Sequence, residues 1–108
     1  MNTTKQQRLD VAHTILQQLG GNRFTVMTGA KQYVAIELGL MFSLPARLAK
    51  LGINKVRIVL DPSDTYTMTT LKVNHRKGEA IEVEKQAHLY GDMLENTFEE
   101  MTGVYTHF

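Results

Sequence analysis

The strongest constraint on this chain lies in its middle, where an alternating run at 55–61 is followed by a turn and by a threonine-rich, β-branched run at 66–73. Val56, Ile58 and Leu60 share one parity, and Lys55, Arg57 and Val59 share the other. Successive side chains of a strand point to opposite faces, so this run predicts a strand with one face on a core. Asp61-Pro62-Ser63-Asp64 follows. Proline presets its own φ and aspartate accepts from nearby backbone amides, which is turn chemistry. Residues 66–73, rich in threonine and β-branched side chains, then predict the return strand of a hairpin.

The flanks add helices and further strands. Leu9, Ala12, Leu16 and Leu19 recur at helical spacing, with Val11 and Ile15 widening the stripe, so residues 4–19 predict a helix. Thr4 and Gln7 stand as a capping box, and Gly20-Gly21 as its stop. Period two over 23–28 predicts a strand that Gly29 breaks. Residues 31–37 read as a turn or an irregular continuation. Leu38, Leu40, Phe42 and Leu44 alternate as another strand, ended by Pro45. Residues 46–51 allow a short helical turn closed by Gly52, and residues 74–78 turn the chain again. A final strand places Ile81 and Val83 on one face, with Ala87 and Leu89 continuing it, and Glu82 and Glu84 on the other. Residues 92–102 predict the last helix, with Asp92 and Glu95 at its positive end and Gly103 as its stop. A competing start for that helix lies near Lys85. The aromatic tail, 104–108, is expected to pack.

The expected fold is therefore α+β over a single domain, 1–108. It has an N-terminal helix, a roughly five-stranded, mostly antiparallel sheet and a C-terminal helix. Short connections favour an antiparallel meander, because parallel pairing needs long crossovers. Two helices can cover one sheet face, leaving the other to water or a partner.

Cysteine is absent, which removes disulfides, thiolate metal sites and thiol nucleophiles, and favours a reducing compartment, most simply a cytoplasm. No stretch approaches the roughly 20 apolar residues of a membrane span, and the polar residues 1–10 do not resemble a secretory signal. No internal repeat or low-complexity tract stands out. The net charge of +1 conceals a division. Residues 1–78 carry 11 Lys and Arg against 4 Asp and Glu, whereas 79–108 carry 1 against 7, so the balances are +7 and −6. Such a division points to an anionic partner for the first part, or to mutual neutralisation within the fold.

No motif assigns a reaction. His13, His75, His88 and His107 include no pair at the spacing that puts two ligands on one helix face, so no metal is expected. Asp61 and Asp64 read as turn residues. The run Met27-Thr28-Gly29-Ala30-Lys31 lacks the first glycine of a phosphate loop and the hydroxyl residue after its lysine. Ser43 and Ser63 sit in no nucleophile elbow. Neither a cofactor nor an enzyme is expected.

The richest signal is basic. Lys55 and Arg57 share one strand face, Lys72, Arg76 and Lys77 lie at the far end of the hairpin, and Arg47 and Lys50 come just before. Tyr66 and several threonines are interleaved. Cations neutralise phosphates, aromatics stack on bases and hydroxyls reach phosphate oxygens, so DNA or RNA is the first expected partner. The alternative is a protein partner, bound by the acidic stripe of Asp92, Glu95 and Glu99. Met27, Met41, Met68 and Val59 would support a homodimer.

Three stretches read together carry a resemblance: LGGNRFTVMTGAK at 19–31, GINKVRIVLDPSDTY at 52–66 and TGVYTHF at 102–108. They resemble a family of small bacteriophage and prophage proteins with the same leucine-glycine-glycine, methionine-threonine-glycine-alanine-lysine and threonine-glycine-x-tyrosine-threonine segments. The resemblance implies a phage or mobile-element origin and a bacterial cytoplasm, and makes that alternative partner a host or phage protein. It transfers no functional residue.

Overall fold

The computed structural model describes residues 4–106. The element order is α1 (Lys5–Leu19), α2 (Asn22–Thr28), β1 (Lys31–Ile36), β2 (Gly39–Ser43), β3 (Lys55–Leu60), β4 (Tyr66–Asn74), β5 (Glu79–Leu89) and α3 (Leu94–Thr102). Short 3-10 turns at Lys50–Gly52 and Gly91–Met93 join the rest. The strands form one five-stranded meander in the order β1-β2-β3-β4-β5, every neighbour antiparallel. The α+β expectation holds.

Helix α1 begins as its sequence dictates. The Thr4 hydroxyl accepts from the Gln7 amide, and the Gln7 side chain accepts from the Thr4 amide. Ala12, Ile15 and Leu19 are buried against the sheet. The covered face also takes Phe42 of β2, Val56 and Ile58 of β3, Met68 of β4, and Leu94, Phe98 and Met101 of α3. Phe24 of α2 lies at its centre, 4.9 Å from Phe98 and 5.5 Å from Phe42, edge to face in both cases. Such ring pairs contribute about 0.5–1.5 kcal/mol each beyond the area they bury.

Phe24 marks the main correction to the sequence reading. Residues 23–28 are helical, and the fifth strand is Lys31–Ile36 instead. The reason is a helix ending that occurs twice. Phe24-x-x-Met27-Thr28-Gly29 and Phe98-x-x-Met101-Thr102-Gly103 are a short internal repeat. In each, the threonine hydroxyl donates to the phenylalanine carbonyl, 2.7 Å away, and accepts from the amide two residues on, at Ala30 or Val104. In each, the glycine takes positive φ, +71° at Gly29 and +75° at Gly103, a left-handed stop that glycine adopts without Cβ strain.

Two other expectations change. No side chain caps α3: its N-cap is Met93, while Asp92 sits in the preceding 3-10 turn. Strand β5 does not alternate regularly, because its register against β4 shifts twice. Val83 therefore packs on the core while Ile81 is exposed. Val104 and Thr106 of the tail are buried and Tyr105 is exposed; His107 and Phe108 lie outside the described residues.

Candidate nucleic-acid interface

The face of the sheet turned away from the helices is built by register. One cross-strand row runs Lys31–Ser43–Lys55–Leu71–Glu82. The next runs Val34–Met41–Arg57–Thr69–Lys85. Neighbours in such a row lie about 5 Å apart, so the four cations occupy two adjacent lines of one surface. Lys31 and Lys85 are exposed, and Lys55 and Arg57 are half-buried along their stems. No carboxylate among the described residues forms an ion pair with any of the four.

Two hollows mark this surface. One, of 220 Å³, is lined by Arg57, Val59, Asp61, Thr67, Thr69 and Lys85. Within it the Thr67 hydroxyl donates to the Asp61 carboxylate at 2.6 Å. The other, of 230 Å³, lies where the strands end and includes Lys31, Ser43, Lys55 and His75. No residue of a helix lines either. A larger hollow of 480 Å³ involves one side of α1 alone and brings no distant groups together.

Of the basic residues singled out in the sequence, Lys55 and Arg57 stand on this face. Lys72 does not. It pairs with Ile81, shares the parity of Met68 and Thr70, and lays its stem over Gly52 on the other side of the sheet. Arg76 and Lys77 sit in the β4–β5 turn, their amides donating to the Asn74 side chain. Tyr66 is also on the covered side, buried and paired with Leu89, so it offers no stacking surface beside the cations. Burial raises its phenol above the ordinary tyrosine value, helped by the nearby Asp64 charge. Sequence reasoning placed neither Lys31 nor Lys85 among the site residues. The spacing of each strand against its neighbours, which only pairing reveals, puts them in line.

The acidic helix is less free than its sequence suggests. Glu95 forms an ion pair with Arg23, and accepts from the Thr106 hydroxyl at 2.7 Å. Glu99 accepts from the Thr106 amide at 2.9 Å. Asp92 alone of the three is exposed. The stripe ties down the chain end on the helix side, but the two charge segments interleave: Arg23 of the first pairs with Glu95 of the second, and Glu82 and Lys85 of the second stand in the rows of the open face. Met68 is fully buried and cannot serve a homodimer, whereas Met41 and Val59 do reach the open face.

No family model, curated protein or solved structure matches the chain. Among the described residues, no group of three or more His, Asp or Glu is placed to hold a metal ion, and no helix is long and apolar enough to cross a membrane. The open face carries fixed cations with hydroxyls, apolar side chains and the Asp61 carboxylate between them, and its cations can attract anions.

Proposed function

We propose that this is a binding protein of a phage or mobile element, without catalysis of its own, that holds nucleic acid by its phosphate backbone on the open sheet face. Lys55 and Arg57 are the central contacts, flanked by Lys31 and Lys85. The observation that carries the reading is the pair of cationic cross-strand rows on the face away from the helices, whose four cations form no ion pair with a described carboxylate, although Glu82 ends one row and Asp61 lines the hollow of the other. Phosphates displace the water and counterions of such a surface, and the released counterions drive association. With no Phe or Tyr of the described residues among the cations, stacking on bases is not part of this reading, which is of charge and spacing rather than sequence. A bacterial cytoplasm, where such a partner is at hand, fits the lack of cysteine.

The protein-binding alternative through Asp92, Glu95 and Glu99 has less support, since Glu95 and Glu99 are engaged within the molecule. The test is fluorescence anisotropy with labelled single- and double-stranded DNA over a range of salt. Affinity is expected to fall linearly on a log–log plot, with a slope of about −2 to −4 for this number of cations. The double reversal Lys55→Glu/Arg57→Glu is expected to weaken binding by more than about tenfold at low salt. Equal affinity in the variant would refute the proposed face.

A further inference from the structure

We infer that the hollow at the strand ends is a seat for a phosphate monoester, the chemistry carried by the end of a nucleic-acid strand. The inference rests on the proposed function for its biological source, and on local geometry for its ligand. Lys31, Ser43 and Lys55 are consecutive members of one cross-strand row, so the two lysines flank the serine at about 5 Å on either side. Gln32 has φ of +56° beside the register shift of β1, a bulge that re-aims Lys31. His75 reaches the same hollow from the β4–β5 turn. Three nitrogen donors and a hydroxyl thus converge on one concavity, and none of its lining residues is Asp or Glu.

The floor is held in place. The Asn54 side chain donates to the Val73 carbonyl at 2.9 Å and accepts from the Val73 amide at 2.8 Å. The Leu44 amide donates to the Asn54 carbonyl, also at 2.9 Å. Leu44 and Ala46 line the hollow where the chain leaves the sheet at Pro45. The neighbouring hollow differs in one respect. It contains the Asp61 carboxylate, which repels a second negative charge. A phosphodiester carries a single charge, whereas a monoester carries about −1.5 to −2 at neutral pH. The carboxylate-free hollow therefore suits the monoester and the other suits the diester backbone.

Paired oligonucleotides differing only in a terminal phosphate test this, with the label on the opposite end and both the 5′ and 3′ series measured. The wild-type protein is expected to bind one phosphorylated form about tenfold more tightly than its hydroxyl counterpart. Lys31→Met, at an exposed position, is expected to erase that preference, whereas Arg57→Glu weakens both forms and keeps their ratio. Inorganic phosphate, titrated while the backbone amides are followed by NMR, is expected to shift Ser43, Lys55 and His75 in the wild type and not in Lys31→Met. Equal binding of both forms with no phosphate-induced shift overturns the seat while the backbone-binding face stands. Failure of every oligonucleotide to bind defeats that face instead. The phosphate titration then decides the seat alone: shifts at those amides uphold it, and silence overturns it.

Discussion

The two faces of the sheet are built from the same strands and behave as different materials. On the covered face, Phe24, Phe42, Phe98, Ile58 and Met68 are wholly buried, and no buried side-chain nitrogen or oxygen among the described residues lacks a hydrogen-bond partner. On the open face, Lys31, Lys55, Arg57 and Lys85 carry charge that the described residues leave unpaired. Stability belongs to the first and the proposed binding to the second, because burying apolar area drives folding while surface cations away from ion pairs add little to it. Each strand serves both at once, since neighbouring residues point in opposite directions.

The largest expected effect comes from the covered face. Phe98→Ala removes the ring that packs on Phe24 and Phe42, and is expected to cost about 3–5 kcal/mol. For a domain of this size that lowers the midpoint of thermal unfolding by more than about 12 °C. Nucleic-acid affinity of the remaining folded protein should not change. An equal loss of affinity in the folded fraction would break the division between the faces.

A smaller effect sharpens it. Lys85→Glu and Lys72→Glu make the same charge change on opposite sides of the sheet. The first is expected to weaken binding by about tenfold and the second by no more than about twofold, both with near-native thermal stability. Equal losses would mean that binding follows net charge and not position.

The smallest expected effect is alkaline. Tyr33 and Tyr66 both lie on the covered side, and burial raises both phenols above their ordinary value, against the opposing hydrogen bonds from Thr25 and Gln18. A raised folded value means the native state holds the proton more tightly. The stabilisation is fully present below about pH 10, where the unfolded phenol titrates, and is lost as pH rises through the folded values. Chemical denaturation of Tyr33→Phe and Tyr66→Phe is expected to show a shallower decline above that pH than the wild type. An unchanged decline would place its origin elsewhere.

Much of the fold was readable before any tertiary contact was known. Thr4 and Gln7 announce α1, the alternation of 55–60 and the β-branched run of 66–73 announce the central hairpin, and Gly103 announces the end of α3. All of these depend on residues within a few positions of one another. Residues 23–28 misled because Thr25, Val26 and Thr28 favour strand by propensity and alternate by chance, whereas burial of Phe24 between Phe42 and Phe98 decides for helix. The matching Thr-Gly endings at 28–29 and 102–103 were a local signal that period two obscured.

The site divides along the same line. Lys55 and Arg57 were legible as neighbours because one strand carries both, and the parity of 66–74 already sets Lys72 with Met68, away from them. Lys31 and Lys85 were not legible. Their places depend on bulges in β1 and β5, and a shift of one residue moves a side chain to the opposite face.

By itself, the sequence determined both ends of α1, the stop of α3, the central hairpin and the total charge, since these follow from local backbone chemistry and composition. Only the tertiary structure decided which charges stand together. Strand register is a property of two chain segments at once, and it is settled by what each side chain must bury rather than by either segment alone.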